Sequence, residues 1–241
     1  MTRDTIWDMA SCTKTLAASS AAALLYEKGL LDIEATVDSY LPGFGQSGKQ
    51  FITVRMLLEH NSGLPGDPNP GFFTSGFGCP DRLYMTWSCL LKSYSAILAQ
   101  SLENEPGTAY TYSDINFMAL ALIIGRIARD SYQVTTQDCT PGCPTTGLGS
   151  EMCFYEAFVR LRVFNPIGVN NSGYLPPRSW WANCAPTEND TTYRGFVVQG
   201  QVHDQNTFVM GGISGHAGLF ATLDDVITIS RRWLYASKFS D

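Results

Sequence analysis

The feature that most constrains this chain of 241 residues is a lysine set inside a run of small apolar residues. Residues 9 to 28 predict a helix that Gly29 stops as a C-terminal cap. Its small residues, Ala17 to Ala23, let neighbours pack closely, so the helix is expected to be buried. Lys14 lies in it, flanked by Ala10, Leu16, Ala17 and Ala18. A buried ammonium must find partners or lose its proton, so any fold of this chain has to enclose the helix and bring polar groups to it.

One candidate partner is local. Ser11-Cys12-Thr13-Lys14 forms an S-x-x-K tetrad, and helical geometry puts positions i and i+3 on one face. The tetrad alone is a weak signal, since about one is expected by chance in a chain of this size. Its burial is what gives it weight. A lysine of this kind can polarise or deprotonate a serine hydroxyl, which is a poor nucleophile until a neighbouring base activates it.

Composition narrows the classes. With 44% hydrophobic and 16% charged residues the chain can bury one sizeable core or two small ones. A net charge of −6 argues against nucleic acid as a partner, because phosphates demand a basic stripe. The longest purely apolar run, Phe117 to Ile124, is too short to span a membrane. The first residues, Met1 to Trp7, lack the apolar stretch of a signal peptide. Seven cysteines make disulfides plausible, with the pairing open, and their spacing fits no common zinc pattern. Two sequons, Asn170-Asn171-Ser172 and Asn189-Asp190-Thr191, also favour an oxidising, secretory location. No metal or organic cofactor is expected.

Along the chain, Thr53 starts a helix from about Val54 to His60, where His60 is expected to act as a cap favourable to the helix dipole. Residues 71 to 91 look like an inserted loop or lid. A strong helix follows at 115 to 129, with Ile115, Met118, Ala119, Leu122 and Ile123 on one face. A second loop, 135 to 150, precedes a helix at 151 to 163 that Pro166 closes. The tract 195 to 202 looks strand-like, and Thr222 with Asp225 has capping-box spacing ahead of a helix from Val226 to Tyr235.

The decisive element is Pro106-Gly107-Thr108-Ala109-Tyr110-Thr111-Tyr112-Ser113-Asp114-Ile115-Asn116. Together with the tetrad it resembles the serine β-lactamase, penicillin-binding protein and class C-like esterase superfamily, which pairs S-x-x-K with a later Y-x-N or Y-S-D ahead of a helix. Ile6 to Ser11, Leu57-Leu58-Glu59-His60-Asn61-Ser62-Gly63-Leu64, Val202 to Asn206 and Gly211 to Phe220 are similar to further stretches of that superfamily.

The resemblance implies an α+β fold across a single domain, 1 to 241: an antiparallel sheet flanked by helices, beside a mostly helical lobe at about 40 to 190. It implies Ser11 as nucleophile, Tyr112 as general base and Lys14 as the cation that holds its phenolate. Independently of family, a phenol needs nearby cations to serve as a base at neutral pH. Asp114, Asn116 and His216 are candidate secondary or substrate-binding residues. Asp114 stands where many relatives have Asn; it is read equally as an N-cap, or as a carboxylate repelling acidic substrates and favouring neutral ones. His216-Ala217-Gly218 is not taken as the third motif, K/H-T-G, because a capped helix follows at once. The resemblance thus leads us to expect that this motif and the strands before S-x-x-K lie outside the chain. A sheet lacking them would expose edges, and a missing oxyanion donor costs about 2.7 to 4 kcal/mol, so this chain alone is expected to be poorly active.

The expected partner is a small-molecule or peptide-like carbonyl substrate; β-lactam, peptide and ester remain open. No serine has the G-x-S-x-G context of a nucleophile elbow. A triad using His203, Asp204 or His216 is a formal alternative. The rival of a different class is a non-catalytic binding or scaffold protein that keeps the fold.

Overall fold

The computed structural model describes residues 1–79 and 86–235. Its backbone begins with a short strand, β1, Trp7–Asp8. Wide π-type turns over Lys14–Ser19 then run directly into α1, Ser20–Glu27. The helix therefore starts later than residue 9. Met9 is drawn into a backbone bond from its N–H to the Leu219 carbonyl at 2.9 Å, residues 10 and 11 form a turn, and helical backbone begins only at Cys12. Gly29 ends α1 as expected: its N–H reaches the Tyr26 carbonyl and the Leu30 N–H reaches that of Leu25, both at 2.9 Å.

Two short helices follow, α2, Val37–Tyr40, and α3, Val54–Leu58. Thr53 caps α3 by accepting from the Met56 N–H at 3.3 Å. The segment from 71 is not a free loop where it is described. Phe72 and Phe77 are buried, and the Phe72 N–H donates to Asn206 Oδ1 at 2.8 Å. A disulfide joins Cys79 to Cys89 just before α4, Leu90–Ala99; the centre of the expected lid, 80 to 85, lies outside the described residues.

The centre of the molecule is α5, Asp114–Asp130. Its sequence pattern suggested one apolar face, yet Phe117, Leu120, Ala121 and Ile124 are as buried as the predicted face. Neighbours enclose it: α1, α2, α3 and α4 pack on it, and α6, Glu151–Phe158, lies closest. Gly125 makes that approach possible, since a Cβ there would fall inside the Glu151 carbonyl group. Further π-type turns, Val159–Phe164, continue α6, and a single 3₁₀ turn, Asn165–Ile167, ends this helical stretch at Gly168. A second disulfide, Cys143–Cys153, ties the 135 to 150 loop to α6. Cys12 is free and exposed; Cys139 and Cys184 are free and buried, and burial pushes both thiols up to about 11.

The strands form two antiparallel pairs. β2, Asn189–Asp190, pairs with β3, Phe196–Val197, so the tract from 195 to 202 is strand over only two residues. α7, Gln205–Val209, is followed by β4, Phe220–Ala221, which pairs with β1 in the register Trp7 to Ala221 and Asp8 to Phe220. The closing helix, α8, spans Leu223–Tyr235, with Thr222 Oγ1 accepting from the Asp225 N–H at 3.3 Å. The result is a helix-rich α+β architecture with small antiparallel sheets. Among the described residues no helix is long and apolar enough to cross a membrane.

Candidate active site

The β1–β4 pair fixes the turn that presents Ser11. Asp8 braces it from behind: Oδ1 accepts from the Ala10 N–H at 2.9 Å and Oδ2 from the His203 N–H at 2.7 Å. Burial raises the Asp8 carboxyl, and those two bonds oppose the rise. Ala10 is held in the left-handed region at φ 44°, a conformation costly for a residue with a Cβ. Its effect is to turn Ser11 outward, where the side chain is exposed and the N–H has no acceptor among the described residues.

Lys14 is the opposite case. It is 4% exposed, and its Nζ stands 3.0 Å from Ser11 Oγ, 2.6 Å from Asp114 Oδ1 and 3.4 Å from the His216 carbonyl. The contact with Asp114 is an ion pair by distance, although the angle is not that of an aligned hydrogen bond. The same ammonium lies 4.6 Å from the centroid of the Tyr112 ring, within cation–π range. The sequence therefore anticipated a lysine in need of partners, and the fold supplies them from two distant segments, 112 to 114 and the loop at His216.

Tyr112 and Asp114 arrive through the turn before α5. Ser113, not Asp114, is the N-cap: its Oγ accepts from the Asn116 N–H at 3.4 Å. Asp114 is thereby free to pair with Lys14. His60 holds this turn in place, and a helix cap is not its role. It sits past the end of α3 at φ 58°, 9% exposed, and its Nδ1 accepts from the Ser113 N–H at 3.0 Å. Its ring lies under Tyr112, with centroids 4.6 Å apart. Burial first, and the Lys14 charge second, lower the His60 pKa, which suits a ring that must accept at Nδ1. Asn116 is fully buried and points away from the cleft. Its Oδ1 accepts from Ser62 Oγ at 2.6 Å, tying α5 to the 60 to 66 loop. Tyr112 is 47% exposed, and its hydroxyl makes no hydrogen bond among the described residues.

His216 enters from the far side. It is 1% exposed, with Nε2 3.0 Å from Asp204 Oδ1 and Nδ1 2.8 Å from Ser214 Oγ. Asp204 also caps α7 through the Thr207 N–H at 2.6 Å. Burial alone would raise the Asp204 carboxyl; His216 and Thr207 together hold it well below the usual carboxylate range. The loop reaches α5 because Gly215 has no side chain, as a Cβ there would collide with the Phe117 carbonyl. Asp114, Asp204 and His216 could geometrically offer ligands to one cation. Lys14 already neutralises the first, and the other two bond each other.

These residues open on a cavity of about 550 Å³ that Ser11, Asp114, Asp204 and His216 line together with Asp67, Phe73, Glu188 and His203. Asp67 and Glu188 belong to no motif and could not be picked out before the fold brought them here. Asp204 was visible only as a triad alternative, and the pair it forms with His216 lies beside Ser11 without a hydrogen bond to it.

A family model described as Beta-lactamase matches residues 1–237. A protein named Putative D-alanyl-D-alanine carboxypeptidase, from Escherichia coli (strain K12), is 29% identical over 258 residues, covering 100% of this chain and 53% of that protein. A protein of the same name from Salmonella paratyphi B is 30% identical over 261 residues, again covering 100% and 53%. The chain thus spans about half the length of the curated relatives it matches. Among solved structures, a class C beta-lactamase aligns with TM-score 0.66 and 17% identity over 100% of this chain and 54% of its own. A beta-lactamase/D-alanine carboxypeptidase from Pseudomonas syringae aligns with TM-score 0.65 and 17% identity over 98% and 53%. At these identities the two structures speak for the fold.

Proposed function

The chain belongs to the β-lactamase family, and on that premise we propose that it carries the nucleophile-bearing part of a serine hydrolase that cleaves an amide, β-lactam or ester carbonyl through an acyl-enzyme. The observation that carries this reading is the contact of Lys14 Nζ with Ser11 Oγ at 3.0 Å inside an otherwise apolar helix. At that distance the ammonium can polarise the hydroxyl it faces.

In this reading Ser11 Oγ attacks the carbonyl carbon, and its proton passes to Tyr112 acting as base, with Lys14 stabilising the phenolate. The unbonded Ser11 N–H is suited to receive charge developing on the carbonyl oxygen. Collapse of the tetrahedral intermediate breaks the bond to the leaving group, which takes the proton and departs, or in a β-lactam stays tethered through the opened ring, leaving an ester on Ser11. Water then attacks that ester, one proton returns to Ser11, and the acid is released. The relatives' name, D-alanyl-D-alanine carboxypeptidase, and the Beta-lactamase family description support an amide or β-lactam as the bond cleaved.

A fluorescent fluorophosphonate or penicillin tests the reading directly. We expect covalent label on the intact chain, located at Ser11 by peptide mapping, and none on Ser11→Ala. Equal labelling of the two proteins, or no label at Ser11, would rule the reading out.

A further inference from the structure

The cavity at Ser11 is lined by four carboxylates, Asp67, Asp114, Glu188 and Asp204. Three of them are already answered. Asp114 pairs with Lys14 at 2.6 Å, Glu188 with His203 Nε2 at 2.7 Å, and Asp204 with His216 Nε2 at 3.0 Å. Among the described residues Asp67 has neither a hydrogen bond nor an ion pair, and it is an exposed residue on the cavity wall. Arg194, which bonds to the His203 carbonyl beside the cavity, is sealed off at 0% side-chain exposure and bonded also to Asp190 and to the Val202 carbonyl.

The sign of the field follows without fixing any histidine's protonation. Among the described residues, Lys14, His203 and His216 supply at most three positive charges against four carboxylates, so with these ionised the described lining is net negative even with both imidazoles charged. Burial raises the Asp67 carboxyl, and the charges of Asp114 and Asp204 raise it further, against His216 and Lys14. A group strained in that direction gains most from an arriving cation. Phe73, 36% exposed on the same wall, offers an aromatic surface beside it.

We propose that Asp67 is the docking residue for a positively charged group on the substrate, so that the Ser11 site takes an ester or amide bearing an amine near its carbonyl in preference to one bearing a carboxylate. The inference rests on the reading of Ser11 as nucleophile and adds the substrate class. Here Asp67 determines specificity: it binds the charge and takes no part in bond making.

The test uses binding, so that it does not depend on turnover. The full chain carrying Ser11→Ala is titrated calorimetrically with three versions of D-alanyl-D-alanine amide: the free amine, the N-acetyl and the N-succinyl derivative. We expect the amine to bind about fivefold more tightly than the neutral compound, the size of a partly exposed ion pair, and the succinyl compound to bind most weakly. Adding Asp67→Asn should bring the amine-to-acetyl ratio close to one, and Asp67→Lys should invert the order. Reading ratios cancels any general loss of binding, and melting temperatures report whether each variant folds. Equal binding of all three, no measurable binding of the amine, or an unchanged ratio in Asp67→Asn overturns the proposal. Fluorophosphonate labelling of the unaltered chain separates the two ideas: label at Ser11 with no charge discrimination rejects the role of Asp67 alone, whereas absence of label rejects the catalytic reading beneath it.

Discussion

Lys14 Nζ lies 2.6 Å from Asp114 Oδ1, so the residue that faces Ser11 is itself held by a carboxylate from the first turn of α5. Both side chains are largely enclosed, at 5% and 16% exposure. Removing one partner leaves the other as an uncompensated charge, a change that costs about 3 to 5 kcal/mol in a buried pair. Asp114→Ala should therefore lower the urea midpoint strongly, and Asp114→Asn, which keeps a polar group beside the ammonium, should lower it less. Equal stability of Asp114→Ala and the parent would show that the pair contributes nothing.

The roles proposed for Lys14 and Tyr112 can be tested separately from that of Ser11. General-base assistance contributes roughly 10² to 10⁴ in rate, so Lys14→Ala and Tyr112→Phe should each slow acylation of Ser11 by a factor in that range. Single-turnover labelling with a fluorophosphonate, alongside circular dichroism to confirm the fold, makes the measurement. Rates within a factor of two of the parent in both variants would remove these residues from the mechanism.

His60 predicts a pH dependence. Burial and the Lys14 charge lower its folded-state pKa, so the folded protein prefers the neutral ring while the unfolded chain takes up a proton in the ordinary range, about 6.5. The stability tied to neutral His60 is present above that range. It is lost as pH falls through it toward the lower folded value. His60→Asn, which tolerates the left-handed backbone, should flatten this part of the melting temperature against pH curve relative to the parent. It should also slow acylation, because the support beneath Tyr112 is gone. Parallel curves for the two proteins would contradict the assignment.

Gly125 sets the distance between α5 and α6. Alanine is favoured over glycine in a helix interior by about 1 kcal/mol, but here its Cβ would meet the backbone of Glu151 and Tyr155, which cannot rotate away. Overpacking of this kind costs about 1 to 3 kcal/mol, occasionally more, and should win. Gly125→Ala is expected to lower the denaturation midpoint, and a rise would show that the helices can separate freely.

Legibility in the sequence followed the range of each interaction. Ser11 and Lys14 could be paired because three residues of one turn connect them. The start of α5 was placed within one residue, since Ser113 and Asp114 are both good caps and only the direction of each side chain tells them apart. His60 was misread as a local cap because its true partner, the Ser113 N–H, comes from 53 positions away. The helix before Gly29 was begun too early because nothing local reveals that Trp7 and Asp8 pair with residues 220 and 221. Asn116, a candidate for the cleft by its place in the motif, faces Ser62 in the interior.

The sequence by itself determined that a lysine would be buried one helical turn from a serine, because apolar periodicity and i, i+3 geometry are properties of the chain alone. It also determined the family, through motifs whose order and separation are written in the residues. Only the tertiary structure decided which carboxylate neutralises that lysine, what supports Tyr112, and that Asp67 faces Ser11's cavity with its charge unanswered. Those outcomes depend on which surfaces meet when α3, α5 and the 211 to 218 loop pack together, and electrostatic balance in a cavity is a sum over groups that sequence position does not bring near one another.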